Sequence, residues 1–342
     1  MKSIRVRMLL LFGISTIVLL GLLSAVLVVV VNRTFIPFAE SSSKMVVQAR
    51  SDQIGTLIGG YIQEVDALSR LDAFSSGKIA DARKYFASNK NPINPDFNYL
   101  VYAIPSGDMV TGLLKDTNAS DRDYFKEIMI DGKSFAVSAP LISKTTGQKM
   151  FIVAHAVKNS SGDVVGLIGA SVKLETLSTI AAALKIGEKG YGWIADGTGL
   201  IIAHPNKDFV MQLQLLTSSE KGFKGLEEAG KKMIEGKSET TRIIRPDGAS
   251  SVLSFSPIPN TPHWSLGVTV PESDFLVQGR SLMRMMGIAI FIILVLLSGV
   301  IVLISNYIVR PLTVSTDYLV QIGRGDFTHE IRSDLLGKKD EI

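Results

Sequence analysis

A guanidinium and two aromatic rings stand together in the run Asp121-Arg122-Asp123-Tyr124-Phe125. The planar guanidinium of Arg122 matches a carboxylate with two parallel hydrogen bonds. Tyr124 and Phe125 follow at once and can line a small pocket, with one hydroxyl to orient a ligand. The same run also suits a surface turn in which Ser120 or Asp121 caps a helix and Arg122 pairs with a neighbouring acid. Taken alone, the run leaves both interpretations open.

The composition describes a chain that can fold around hydrophobic cores. It has 342 residues, enough for two or three domains, with 46% hydrophobic and 20% charged residues. The net charge of +4 is small for this length, and no basic stripe is interleaved with aromatic residues. We therefore expect no nucleic-acid partner. The lack of cysteine excludes disulfides, thiolate catalysis and zinc sites built on cysteine.

No pattern in the sequence indicates an enzyme. The four histidines are not spaced as a zinc motif, and neither a glycine-rich phosphate loop nor a G-x-S-x-G turn occurs. Acids stand in turns such as Asp196-Gly197 and Asp247-Gly248, where aspartate has a backbone role. We predict no catalytic site, no metal and no cofactor.

Two uncharged apolar segments dominate the hydropathy. Residues 8–31 and residues 285–309 contain 24 and 25 residues respectively, and each can cross a hydrocarbon core of about 30 Å. The first segment is much longer than the apolar core of a cleaved signal peptide, so we interpret it as a retained anchor. The sequence therefore predicts two transmembrane helices.

The basic residues that flank these segments predict the orientation. Residues 1–7 and the stretch after residue 309 are both basic, which places both ends of the chain in the cytoplasm. The basic residues on these two sides are Lys2, Arg5, Arg7, Arg310, Arg324 and Lys338. Arg280 and Arg284 lie on the opposite side and weaken the bias. We expect a two-pass protein of the bacterial inner membrane, with residues 32–284 in the periplasm.

Residues 41–75 are predicted to form one long helix. Apolar residues recur there at steps of three and four, and Gly59 and Gly60 interrupt the pattern. One apolar stripe would pack on a sheet, and a second could face another copy of the chain. The pattern alone does not separate these two roles.

A hairpin, a helix and three strands then occur twice, at about residues 76–184 and 185–275. The first set comprises strands at 99–104 and 109–113, a helix at 121–130, and strands at 135–142, 149–157 and 164–172. The second set comprises strands at 191–195 and 200–203, a helix at 226–235, and strands at 240–244, 251–257 and 264–270. Short turns between strands predict antiparallel meanders covered by the long helix. The predicted class is α+β, with two antiparallel-sheet modules flanked by two transmembrane helices.

Six motifs in this order resemble the double-Cache sensor domains of bacterial chemoreceptors, sensor kinases and diguanylate cyclases. They are Asp121-Arg-Asp-Tyr-Phe-Lys126, Ile142-Ser-Lys-Thr-Thr-Gly147, Gly166-Leu-Ile-Gly-Ala-Ser171, Gly190-Tyr-Gly-Trp-Ile194, Ile202-Ala-His-Pro205 and Trp264-Ser-Leu-Gly-Val-Thr-Val-Pro271. The resemblance covers about residues 41–275. It implies two PAS-like Cache modules, a membrane-distal module (residues 76–184) that usually holds the ligand and a membrane-proximal module (residues 185–275).

Residues 310–342 are similar to the start of a HAMP signal-relay module. Arg310-Pro311-Leu312 opens an amphipathic helix, Gly325-Asp326-Phe327 interrupts it, and Asp340-Glu341 resembles the pair that opens the second HAMP helix. The resemblance implies that this sequence is the input half of a longer protein, whose output domain lies beyond residue 342.

The resemblance also implies a ligand class. In double-Cache domains that bind amino acids, an arginine with aromatics two and three residues later holds the carboxylate, as Arg122, Tyr124 and Phe125 would. A later aspartate holds the ammonium, and its position here is Ser171; an upstream tyrosine position is Thr117. Because a buried ammonium needs a paired anion, we expect a small carboxylate rather than an α-amino acid. Asp121 to Phe125 also resembles the pattern of double-Cache sensors for C4-dicarboxylates.

Further pocket candidates are Tyr102, Ser138 and His155, each on a predicted strand of the distal module. Each would serve equally well as a core or strand-face residue whose hydroxyl or ring nitrogen is satisfied by the protein. The predicted ligand-binding set is therefore Asp121, Arg122, Tyr124, Phe125, Tyr102, Ser138, His155 and Ser171.

The predicted function is the input region of a homodimeric transmembrane chemoreceptor of the methyl-accepting type. A small extracellular ligand would bind the distal module and signal through HAMP to a chemotaxis kinase and its adaptor. The sensor region of a histidine kinase or of a diguanylate cyclase is the alternative, and a structural or adhesive ectodomain is a further one.

Overall fold

The computed structural model describes residues 4–30, 33, 36–89, 94–184, 189–304, 306–307 and 310–325. By its contacts the chain divides into two compact units. One consists of Met1–Pro37 with Val277–Ile342, and the other is Phe38–Leu276.

The first unit contains the apolar helices. Its helices are α1 (Ile4–Val30), the greater part of α8 (Glu272–Ile304) and α9 (Arg310–Gly323). Within the described residues, Arg284–Ile304 is the one helical stretch long and apolar enough to cross a membrane, and Gly13–Val26 is a shorter apolar stretch. The predicted span at 285–309 thus has a matching helix, whereas the span at 8–31 stays a prediction. The predicted HAMP features from residue 326 onward lie outside the described residues.

The long helix of the second unit is α2 (Ile36–Ser69). It begins before the predicted residue 41 and ends six residues before the predicted residue 75, where the short helix α3 (Asp72–Ser75) follows. The hydroxyl of Ser69 donates to the Asp66 carbonyl over 2.7 Å. This local bond competes with the helical pattern at the point where α2 ends.

The distal module is built on one antiparallel sheet. Its strands are β1 (Phe97–Ala103), β2 (Asp108–Thr111), β3 (Asp116–Asn118), β4 (Phe135–Val137), β5 (Leu141–Ile142), β6 (Lys149–Lys158) and β7 (Val164–Lys173). Their order is β3-β2-β1-β7-β6-β4, with β5 also paired to β6. The predicted meander is therefore wrong in one respect, because the first strand pairs with the last. The helix α4 (Ile79–Ser88) precedes β1, and α5 (Asp123–Met129) follows β3.

The strand predicted at 135–142 is divided in two. Ser138, Ala139 and Pro140 separate β4 from β5, and Pro140 has no N–H group to donate to a sheet. At this break the Ser138 hydroxyl, instead of a backbone carbonyl, accepts the N–H of Ile152 at 2.9 Å.

The proximal module repeats this plan with fewer strands. After α6 (Leu174–Ala182) come β8 (Tyr191–Ala195), β9 (Ile201–Ala203), α7 (Leu226–Ile234), β10 (Glu239–Ile244), β11 (Ser250–Pro257) and β12 (Ser265–Pro271). Their order is β10-β11-β12-β8-β9, so the first hairpin again lies beside the last strand. The predicted α+β class with two antiparallel-sheet modules is confirmed.

Three hydrophobic clusters hold the second unit together. One runs between α2 and a face of each sheet, and it contains Val47, Ile58 and Val65 from the helix. A second lies between α5 and the opposite face of the distal sheet. A third lies between α7 and the corresponding face of the proximal sheet. Each sheet is therefore buried on both faces. Tyr124 and Phe125 pack on the α5 face of the distal sheet.

Candidate functional site

Arg122 lies at the N-terminal end of α5, where the chain turns from the extended segment after β3 into the helix. Its backbone is extended, with φ −82° and ψ 140°, and Asp123 stands in the first helical turn. Such an acid favours this helix end. The Arg122 guanidinium is partly exposed, and its Nη2 donates to the carbonyl of Ile142 over 3.2 Å. The guanidinium thus spans from α5 to the end of β5.

The two aromatic residues after Arg122 are buried. Tyr124 is 2% exposed and Phe125 is 5% exposed, and with Ile128 they form the face of α5 that packs on the sheet. The spacing of these three residues puts them on one side of a helix. Among the described residues, the Tyr124 hydroxyl meets only the Met109 sulfur, at 3.8 Å. A thioether is a weak acceptor, so this buried donor is poorly satisfied.

A second phenol lies in the same cluster. The hydroxyl of Tyr99, on β1, is 2.7 Å from Ser143 Oγ and 3.5 Å from the Met150 sulfur. Ser143 Oγ also accepts the backbone N–H groups of Thr145 and Thr146. Tyr99 therefore joins the sheet to the turn that follows β5. Flexible methionine side chains fill the space around both phenols.

Lys144 lies at the solvent-exposed side of this cluster. Its Nζ donates to Asp121 Oδ1 at 2.7 Å and to the Asn118 carbonyl at 3.0 Å. The turn after β5 is consequently tied to the segment before α5 by Lys144 on one side and by Arg122 on the other. We call Asp121, Arg122 and Lys144 the mouth cluster. Two of these charges are positive and one is negative.

The charges of the mouth cluster act on one another and on the buried Tyr124 phenol. The hydrogen bond from Lys144 lowers the pKa of the exposed Asp121 carboxyl, which keeps it ionised. Burial raises the pKa of Tyr124, while the nearby Arg122 charge opposes that rise. Tyr124 is therefore a neutral hydrogen-bond donor at physiological pH. An anion at the mouth cluster would meet two cations, and the Arg122 charge also acts on the nearby Tyr124.

Two of the predicted site residues lie on the other face of the distal sheet. Tyr102 is fully buried against the helices, and its hydroxyl donates to the Phe74 carbonyl at 2.8 Å. His155 also faces α2, with Nε2 at 3.4 Å from Asp66 Oδ1 and Nδ1 at 2.9 Å from the Ala156 carbonyl. The structure does not bring either residue together with Arg122.

Ser138 and Ser171 share a face with the α5 cluster, but backbone groups occupy their hydroxyls. Ser138 Oγ donates to the Ala139 carbonyl and accepts from Ile152 N–H. Ser171 is fully buried, and its Oγ donates to the Tyr99 carbonyl and accepts the Tyr99 N–H. These two bonds replace backbone hydrogen bonds at the point where the register of β1 against β7 shifts. Ser171 supplies no negative charge to this face.

The long helix and the two sheet modules correspond to a known family. A family model described as a Cache domain, dCache_1, matches residues 34–278. The chain belongs to this Cache family. The match includes α2, both sheets and the mouth cluster, which confirms the resemblance expected from the sequence motifs.

Relatives of this Cache domain include chemoreceptors. The methyl-accepting chemotaxis protein McpA of Pseudomonas putida is 25% identical over 201 residues, which are 57% of this chain and 29% of McpA. The ligand-binding domain of Pseudomonas aeruginosa PctB in complex with L-Arg has a TM-score of 0.53 at 17% identity, covering 69% of this chain and 97% of that one. For Pseudomonas fluorescens CtaA in complex with L-isoleucine the TM-score is 0.55 at 19% identity, covering 73% and 99%. The likeness to the PctB and CtaA domains shows that this chain has the same fold. The matched part of this chain covers less than a third of the length of McpA.

The cluster under α5 and its mouth include three residues that the sequence did not lead us to assign to a pocket, namely Tyr99, Ser143 and Lys144. Ser143 and Lys144 belong to a motif that carried the resemblance, which was a usable signal. Strand alternation places Tyr99 on the face of β1 opposite to Tyr102, because residues three apart on a strand face opposite sides. Within the part of the chain that the structure describes, no group of three or more metal-binding side chains occurs.

Proposed function

We propose that this Cache domain is the input region of a transmembrane chemoreceptor and that its distal module binds a small carboxylate. The observation that carries the proposal is the buried Tyr124 hydroxyl, whose acceptor is a thioether and which follows the Arg122 cation by two residues at the start of α5. A ligand carboxylate would give this hydroxyl a strong acceptor. Arg122 and Lys144 would supply the balancing charge.

Binding would exchange existing contacts for stronger ones. The Arg122 guanidinium would leave the Ile142 carbonyl, a neutral acceptor at 3.2 Å, for a charged carboxylate. Met109 would give up its place beside Tyr124, and an unbranched thioether side chain adapts readily to such a change. Because the turn after β5 is held by these same contacts, ligand binding would alter the balance between two positions of that turn.

An α-amino acid is the second candidate ligand, because PctB and CtaA were solved with L-Arg and L-isoleucine. The cluster under α5 argues against it. Among the described residues the one buried carboxylate is Asp196, which lies in the proximal module. Ser171 is neutral, and Asp121 is already paired with Lys144. An amino-acid ligand would have to take Asp121 from that pair to neutralise its ammonium group.

The remainder of the receptor is proposed from the sequence pattern. Two membrane spans, at residues 8–31 and 285–309, would place the Cache domain in the periplasm and both ends in the cytoplasm. A homodimer would then pass the change in the distal module through the proximal module to the second span and to a HAMP module. The output would reach a chemotaxis kinase and adaptor, with a histidine kinase or diguanylate cyclase as the alternative output.

The experiment that tests the ligand class is a thermal-shift screen of the isolated sensor region, residues 34–279. The panel contains mono- and dicarboxylates, amino acids, amines and purines. At a hundredfold excess over Kd, a ligand adds about 2.7 kcal/mol, which raises Tm by roughly 5–10 °C for a domain of this size. We expect the shift with carboxylates. A shift with amino acids alone would show that an ammonium site exists and would refute the carboxylate assignment.

A further inference from the structure

A cleft lies between the two Cache modules, and none of the mouth-cluster residues lines it. Its volume is about 560 Å³, which is within the range of small-molecule sites. The end of the distal sheet forms one wall, α6 forms another, and the segment after β9 forms the third. The residues that line this inter-module cleft are Gln148, Lys149, Lys173, Leu174, Glu175, Ser178, Thr179, Ala182, His204, Pro205, Lys207 and Val210.

The charged lining of the inter-module cleft is mainly cationic. Lys149 begins β6 and Lys173 ends β7, and because these strands are antiparallel the two residues lie at the same end of the distal sheet. Lys207 comes from the proximal module and pairs with Glu175 at 2.8 Å. Among the described residues, Lys173 forms no ion pair, and Lys149 Nζ donates to the Val210 carbonyl at 2.7 Å. The lining of the cleft therefore contains three lysines and one glutamate.

His204 adds a hydrogen-bond donor to the cleft. It is 8% exposed, and its ring lies edge-on to Tyr191 and Phe209. Its Nδ1 accepts the N–H of Asn206 at 2.8 Å, so the ring proton is on Nε2. Burial lowers the pKa of His204 to about 4, which makes it a neutral donor at pH 7. No described residue accepts the Nε2 proton in a hydrogen bond.

We propose that the inter-module cleft is a second binding site, which takes a small anion with two or more negative charges. Lys173 and the Nε2–H of His204 would bind one anionic group, since neither has an acceptor among the described residues. Lys149 and Lys207 would approach a second anionic group from the two modules. The apolar side chains of Leu174, Pro205 and Val210 suit the carbon skeleton of an organic anion.

The alternative explanation is that the lysines are ordinary solvated surface residues. That explanation accounts for Lys207, which is 83% exposed at its side chain and paired with Glu175. That explanation gives no protein partner among the described residues to the His204 Nε2–H, which lines the same cleft as Lys173. An anion would also relieve the mutual repulsion of like charges held around one concavity.

The test is isothermal titration calorimetry on the sensor region, residues 34–279, which contains the compact unit Phe38–Leu276 with its own hydrophobic clusters. The probes are citrate and inorganic pyrophosphate at low ionic strength, with acetate and glycerol as weakly charged and neutral comparisons. We expect saturable binding of a multiply charged probe, weakened by added salt. Citrate binding without pyrophosphate binding would assign the site to carboxylates, and the reverse would assign it to phosphates.

The variants are Lys173→Ala and the matched control Lys158→Ala, an exposed lysine at the other end of β6. Loss of a charge-assisted hydrogen bond in Lys173→Ala should weaken binding about tenfold or more. Lys158→Ala should leave the affinity unchanged. Equal effects of the two variants, or no saturable binding of either probe, would overturn the proposal.

A third variant separates this cleft from the distal site. Arg122→Ala should leave citrate and pyrophosphate binding at the cleft intact, and Lys173→Ala should leave binding at the mouth cluster intact. If the anion affinity falls with Arg122→Ala and not with Lys173→Ala, the anion occupies the distal site and the inter-module proposal is wrong.

Discussion

Lys144 Nζ lies 2.7 Å from Asp121 Oδ1, and this ion pair joins the turn after β5 to the residue that precedes Arg122. Both side chains are substantially exposed, at 39% and 59%, so the pair itself contributes about 1 kcal/mol or less to stability. Its importance is electrostatic, because Asp121 cancels one of the two positive charges that an anionic ligand would meet.

Asp121→Asn and Lys144→Ala should therefore change carboxylate affinity in opposite directions. The first variant raises the local charge and frees Lys144, so we expect binding about two- to tenfold tighter. The second removes a cation, so we expect binding several-fold weaker. Titration calorimetry with the best carboxylate measures both. Weaker binding in Asp121→Asn would mean that this carboxylate contacts the ligand, as an ammonium group would require.

Tyr99→Phe and Tyr102→Phe form a matched pair on opposite faces of β1. Each loses one buried hydroxyl, so each should lose about 1 kcal/mol of unfolding free energy. Tyr102 donates to the Phe74 carbonyl among the helices, where burial raises its pKa to about 12. Ligand affinity should fall in Tyr99→Phe, which loses the hydrogen bond to Ser143 beside Lys144, and should stay within twofold in Tyr102→Phe. Equal losses of affinity would contradict the assignment of the site to the α5 face.

Part of this site was predictable from local sequence. The spacing of Arg122, Tyr124 and Phe125 predicted a cation beside two aromatic residues, and the structure places all three at the start of α5. Alternation along β1 predicts that Tyr99 and Tyr102 face opposite sides, but it does not indicate which of the two faces α5 covers.

Long-range geometry was not predictable in the same way. The contact between Lys144 and Asp121 joins residues 23 apart, and it depends on the division of the predicted strand 135–142 into β4 and β5. Likewise, the pairing of β1 with β7 brings together strands separated by most of the distal module. Strand periodicity indicates that strands exist and which faces are buried, but it contains no information on which distant strands become neighbours.

The two glycines of α2 at positions 55 and 60 should respond oppositely to alanine. A Cβ on Gly55 would lie 2.8 Å from Pro259 Cδ and 2.9 Å from the Pro259 carbonyl oxygen, whereas one on Gly60 would meet nothing within 4 Å. Gly55→Ala should therefore destabilise the domain by about 1–3 kcal/mol through overpacking. Gly60→Ala should stabilise it by up to about 1 kcal/mol through helix propensity.

Urea unfolding of the sensor region measures both glycine variants. A neutral effect of Gly55→Ala would show that the loop containing Pro259 does not pack closely on α2. A loss of stability in Gly60→Ala would show that this side of the helix is covered, for example by a second copy of the chain.

The buried His204 should make stability depend on pH in a defined window. Burial lowers its pKa from about 6.5 in the unfolded chain to about 4 in the folded domain. As pH falls below about 6.5 the unfolded state takes up this proton first, so the unfolding free energy falls until about pH 4. The slope is at most about 1.4 kcal/mol per pH unit.

Comparison with His204→Gln isolates this contribution. The variant should be less stable than the parent protein at pH 7, and the difference should narrow at pH 5. Denaturant unfolding at both pH values measures it. A difference that is constant with pH would show that His204 is not buried in its neutral form.

The most direct test of the account is the affinity of the sensor region for its best carboxylate in Arg122→Ala, measured by titration calorimetry beside the control Lys126→Ala. Lys126 is an exposed cation on α5, four residues after Arg122. Loss of a charge-assisted contact should weaken binding by tenfold or more in Arg122→Ala, while Lys126→Ala should bind as the parent protein does. Unchanged affinity in Arg122→Ala would contradict a carboxylate site at the mouth cluster.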